Sequence, residues 1–100
     1  MANAIYRLPE TLRLRGKSKT RHYADVAEGL FPPPIPLGPR AVGWPEDEVA
    51  AVTTARAAGY SDSQIRELVA ALVAARQRKA LEAIERATAP AATGGMRGPQ

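Results

Sequence analysis

The chain has no cysteine and one histidine in 100 residues. The first absence excludes a disulfide framework and any Cys-ligated zinc site, and the second leaves no set for another transition metal. It reads as reduced and cytosolic. No apolar run approaches the roughly 20 residues of a spanning helix, and the opening MANAIYRLPE lacks the apolar centre of a secretion signal. Nucleophile–histidine pairing, a phosphate-cradling glycine loop and a metal set are all missing, so enzymatic chemistry has no starting point and no cofactor is implied. There is no internal repeat. A chain this short also hides only about 60% of the surface that its unfolded form exposes, too little to enclose a large substrate pocket.

What the chain does have is unevenly placed positive charge. Its net charge is +4, yet between Arg7 and Arg21 six basic residues (Arg7, Arg13, Arg15, Lys17, Lys19, Arg21) face one acid, Glu10. A basic run is often no more than a solvated helix face. Here it brackets a glycine between two short helical patterns, where a polyanion would find it. Pro9 suits a first helical position and Glu10 the positive end of the helix dipole. Leu8 and Leu12 share a face, Leu14 has no evident place, and Gly16 ends the helix. Ser18 caps a second helix that runs through Glu28 to Gly29. His22, Val26 and Tyr23 are its inward candidates, with Lys19, Thr20, Arg21 and Ala24 left outside. Two short helices about a tight turn form a helix-turn-helix pattern, in which the second helix reads the major groove with its first residues.

The following LFPPPIPLGPRAVGW cannot be helical, and its prolines lack the donors of a central strand. Leu37 and the pair Val42 and Trp44 are expected to form two short strands, with Gly38, Pro39 and Arg40 as the turn. Such a hairpin needs the helices behind it, covered by Phe31, Ile35 and Trp44. An arginine at its tip reaches a phosphate or the minor groove.

The order LPETLRLRGKS, HYADVAEGLFP, LGPRAVGWPEDEV resembles the AlpA-type prophage regulators, a branch of the MerR- and excisionase-like winged helix-turn-helix proteins, over about residues 5–56. The LPE opening, the Glu-Gly-x-Phe-Pro junction and the GPRAVGW wing together give the likeness its specificity. It implies double-stranded DNA as partner, with Lys17, Lys19, Thr20, Arg21 and Tyr23 at the groove and Arg40 on the wing. It also implies regulation of transcription or direction of excision, in the cytoplasm at the nucleoid. Two positions depart from similar proteins, which usually have an apolar residue in place of His22 and often an arginine in place of Ala24. The second change removes a base contact; His22 is read as a partly buried helix residue rather than a ligand or sensor.

Pro45 opens a third helix whose first turn, Glu46, Asp47 and Glu48, suits the dipole. Adjacent helical positions point about 100° apart, so these carboxylates do not converge on a metal. Val49 and Val52 face inward and Gly59 ends the helix. Ser61 and Gln64 then form a capping box, with Tyr60 and Ile65 placed as a hydrophobic staple, so a fourth helix runs from Asp62 to about Thr88. Its stripe Ile65, Leu68, Val69, Leu72, Val73 is expected to stop at Arg76 and Lys79, to pack on the body or a second copy, and to give way to a solvated, fraying half. A second DNA contact from Arg76, Arg78, Lys79 and Arg86 is the lesser alternative for that half. The fold expected is mainly α with a small β-hairpin wing: a winged helix-turn-helix over 5–58, a long C-terminal helix over 59–88 that packs or forms a homodimer through Leu68 and Leu72, and a disordered tail over 89–100. The runner-up function is a small terminase-like DNA-packaging protein, which also joins such a domain to a helical assembly segment.

Overall fold

Seven elements follow one another in the computed structural model, which describes residues 4–88: β1 (Ile5–Arg7), α1 (Leu8–Arg15), α2 (Lys19–Ala27), β2 (Ile35–Gly38), β3 (Ala41–Pro45), α3 (Glu46–Ala57) and α4 (Asp62–Thr88). The expected disordered tail over 89–100 lies outside the described residues. The fold is mainly helical with a small sheet and a long last helix, consistent with a winged helix-turn-helix.

The hairpin forms with Pro39 and Arg40 in its turn, but it is part of a three-stranded antiparallel sheet in the order β1-β3-β2. The expected hairpin is thus present, with β1 added to it. Residues 5–7 pair along the free edge of β3, Tyr6 opposite Trp44 and Arg7 opposite Gly43. Three residues show no alternation long enough to betray a strand, yet a two-stranded hairpin is marginal in water and a third strand is what it lacked. The opposite pairing slips between Pro36 and Gly38, beside a proline that has no N–H to donate. Gly43 sits at the centre. A Cβ there would lie 2.5 Å from Ile5 Cγ2 and 2.9 Å from both Leu37 Cδ1 and the Tyr6 carbonyl, so the flanking side chains close over a bare Cα.

Beneath the sheet Trp44 and Phe31, both 0% exposed, pack with Leu30, Val49, Val52, Ala55, Ile65 and Val69. The proline segment lends this core acceptors only. Trp44 Nε1 donates to the Pro32 carbonyl at 2.7 Å, and Arg76 Nη2 to that of Pro33 at 2.8 Å. Ile35, expected as a core cover, is only half-buried.

The capping box of α4 closes in both directions: Ser61 N donates to Gln64 Oε1 at 2.9 Å and Gln64 N to Ser61 Oγ at 3.2 Å. Ile65 and Val69 are buried, and Leu68, Leu72 and Val73 lie against the core. The apolar stripe ends before Arg76 as expected, but the contact with the body does not. Arg76 Nε and Nη2 donate to the two oxygens of Glu48 at 2.8 and 2.6 Å, so the packed face continues as an ion pair. Lys79 Nζ lies 3.4 Å from Asp47 Oδ2. The acidic first turn of α3 therefore anchors α4 as well as suiting a helix dipole. Past Lys79 the helix is solvated, with Leu81 and Ile84 57% and 58% exposed.

Candidate functional site

Gly16 adopts the left-handed conformation (φ 67°) that stops α1, and its N–H bonds back to the Leu12 carbonyl at 2.9 Å. Two residues later Ser18 Oγ accepts from Arg21 N at 3.2 Å and starts α2. The turn is tight because both ends are chemically specified. Lys19, Thr20 and Arg21 then fill the first turn of α2, all exposed. Among the described residues no ion pair holds Lys19 or Arg21.

The opposite side of α2 is held by a buried polar cluster. Asp25 Oδ2 accepts from Arg15 Nη2 at 2.9 Å and from Lys17 Nζ at 2.6 Å, which ties the end of α1 and the turn to the middle of α2. Burial alone would raise the Asp25 pKa, but the hydrogen bonds and charges of Lys17 and Arg15 outweigh it and hold the carboxyl below its ordinary range. Arg15 lies 4.0 Å from the centroid of the Phe31 ring, a cation–π contact. Its Nη1 is 2.8 Å from His22 Nδ1. A guanidinium only donates, so Nδ1 accepts and Nε2 carries the proton.

His22 is fully buried, standing edge-on to Trp44 at 4.6 Å and to Tyr23 at 5.1 Å between ring centroids. Its Nε2 has no hydrogen-bond partner in the protein. Burial first, and then the Arg15 charge, lower its pKa to about 4. The ring is neutral near pH 7. Buried among aromatic rings, it offers Arg15 a single acceptor and leaves its other nitrogen without a partner in the protein.

The residues expected at a DNA surface thus separate. Lys19, Thr20 and Arg21 lie together on the exposed first turn, and Arg40 is exposed at the hairpin turn. Tyr23 packs against the core, half-buried. Lys17 is bonded to Asp25, although about a third of its side chain stays exposed. Arg15 belongs wholly to the interior, and Arg13 pairs with Glu10. Two of the six cations, Arg15 and Lys17, are therefore tied into the fold. Arg15 and Asp25 were missed as a pair, although the spacing of His22, Asp25 and Val26 puts Asp25 on the inner face. Among the described residues no group of three potential ligands is placed to hold a metal, and no helix is long and apolar enough to cross a membrane.

Residues 4–51, from β1 into α3, match the family model described as prophage CP4-57 regulatory protein (AlpA). The chain is also similar to the uncharacterized protein ORF88 of Enterobacteria phage P4, 40% identical over 53 residues. That match covers 53% of this chain and spans 60% of the phage protein. No solved structure matches the chain.

Proposed function

We propose that the chain, whose residues 4–51 match the model described as prophage CP4-57 regulatory protein (AlpA), binds double-stranded DNA sequence-specifically, as a regulator of transcription or a director of excision. The observation that carries this reading is the first turn of α2. Lys19, Thr20 and Arg21 are presented to solvent on a helix end that is capped by Ser18 and braced from behind by Asp25 and His22. A braced helix has its backbone fixed before it meets base edges, so only the side chains need to order on binding, which favours direct readout in the major groove. Arg40, at the exposed tip of the β2–β3 hairpin, serves as the wing contact to phosphate or minor groove. Lys17 contributes charge at the turn, and Tyr23 positions α2 from its packed side.

Leu68 and Leu72 already cover the core of their own chain, so the DNA-bound unit in this reading is one chain per site rather than a pair joined through those leucines. The test is a duplex-binding titration against salt with site and scrambled sequences. Arg40→Gln should weaken binding to every sequence alike and lower the salt slope by about one. Thr20→Ala and Arg21→Ala should change site preference, at about 1–3 kcal/mol for a lost base contact. Absence of salt-sensitive duplex binding by the intact chain would overturn the proposal.

A further inference from the structure

A cleft of about 220 Å³ opens between the end of α1 and the flank of α3, lined by Arg15, Lys17, Val52, Thr53 and Arg56. Three of these five residues are cations and none is an acid. The neighbouring carboxylates do not balance them. Arg15 and Lys17 donate to the same oxygen of Asp25, so two positive charges meet one negative, and neutral His22 adds none. Arg56 has Asp62 at 2.9 Å, but that pair is exposed and water screens it. Arg56 is also close enough that, after burial, its charge helps lower the pKa of Arg15. The two guanidinium groups repel across the cleft.

The geometry also leaves donors to spare. Arg15 forms the floor, with its side chain 5% exposed, while Lys17 and Arg56 are 32% and 36% exposed. An ammonium that gives one N–H to Asp25 keeps two, and a guanidinium that gives one to Asp62 keeps four. Thr53, itself exposed, adds a hydroxyl. We propose that this cleft seats one phosphate oxyanion of the DNA backbone, with Lys17 and Arg56 as its charged ligands. This rests on the DNA-binding reading above and adds α3 to it. Lys17 stands two residues before the first turn of α2, and its partly exposed ammonium links the cleft to the turn through which the duplex is read in this proposal. The contact is independent of sequence: it fixes the register of α2 without reading a base.

Duplex affinity of the full chain is to be measured at several salt concentrations for the native protein and for Arg56→Gln, Arg56→Lys and Asp62→Asn, each checked as folded by circular dichroism. Losing one phosphate contact should cut affinity about fivefold near 0.15 M salt and reduce the slope by about one in Arg56→Gln, equally for specific and scrambled duplexes. Arg56→Lys should keep the native slope. Asp62→Asn should keep it too, because it removes the surface pair and leaves the Arg56 charge. An unchanged slope in Arg56→Gln overturns the proposal while the DNA-binding reading stands. A second arm compares melting in inorganic phosphate and in chloride at equal ionic strength: a rise of a few degrees, lost in Arg56→Gln, supports the oxyanion site. That rise without any duplex binding overturns the assignment to the DNA backbone and leaves free phosphate as the ligand.

Discussion

Replacing Asp25 with Asn would leave Arg15 and Lys17 facing each other with no counter-charge, one of them almost wholly buried. Breaking a buried pair from one side costs about 3–5 kcal/mol, because the stranded charge remains desolvated. Asp25→Asn should therefore lower unfolding free energy by about 3 kcal/mol in a urea titration, and with it duplex affinity. His22 adds a pH dependence in the same direction as Asp25, whose carboxyl is also held below its ordinary range. Its folded pKa, about 4, lies below the unfolded value of 6.5, so between those values the unfolded chain binds more protons. The stability it provides is complete above pH 6.5 and is lost as pH falls toward 4. Denaturation midpoints across that window should fall less steeply in His22→Gln, which keeps an acceptor for Arg15 but does not titrate. At Gly43 any side chain meets the Tyr6 carbonyl and two covering side chains. Gly43→Ala should cost about 2 kcal/mol, visible as a lowered melting temperature.

At the scale of elements, α4 is attached to the body by apolar packing through Val73 and then by a charge contact. Glu48 is buried and receives both donors from Arg76. Arg76→Ala should destabilise the fold by about 3 kcal/mol, most of it the cost of leaving Glu48 unpaired. In a double-mutant cycle with Glu48→Gln the second change should cost much less than the first. Arg78 and Arg86 make no such contact among the described residues, and replacing them with Gln should leave stability within about 0.5 kcal/mol of the native value. The same logic sorts the basic run. Arg15 is a brace for α2, whereas Lys19 and Arg21 are free to meet a ligand.

For the whole molecule, a small core is compensated by polar tethers. The aromatic centre of Phe31, Trp44 and His22 is roofed by a proline segment that supplies only carbonyls. Arg76 joins that segment to α4, Arg66 joins the Glu28 carbonyl at the end of α2 to α4, and Asp25 joins α1 to α2. The first two span 43 and 38 residues of sequence, whereas the third joins consecutive helices across 10. The long helix extends about 40 Å, a large part of a molecule whose extents are 57 × 30 × 22 Å. Mass measured by light scattering in solution should be that of one chain, about 10.7 kDa, if Leu68 and Leu72 are committed to their own core. A ring-sized particle would instead favour the packaging alternative.

Local chemistry by itself determined the ends of the elements: Gly16 and Gly59 as terminators, Ser18 as a cap, the Ser61–Gln64 box and the Pro39–Arg40 turn. Each of these acts within a few residues and leaves a mark at its own position. Helical spacing likewise determined the inner faces of α3 and of the first half of α4. Tertiary structure decided what lies far apart in the chain. Residues 5–7 became a strand only because β3 offered them a free edge, and Glu48 became an anchor only because Arg76 arrives 28 residues later. The basic run shows the division most clearly. Sequence counts its charges, but which of them reach solvent depends on where Asp25 sits once α1 and α2 have folded together. Coulomb attraction in a desolvated interior turned Arg15 inward, drew Lys17 halfway, and left Lys19 and Arg21 outside.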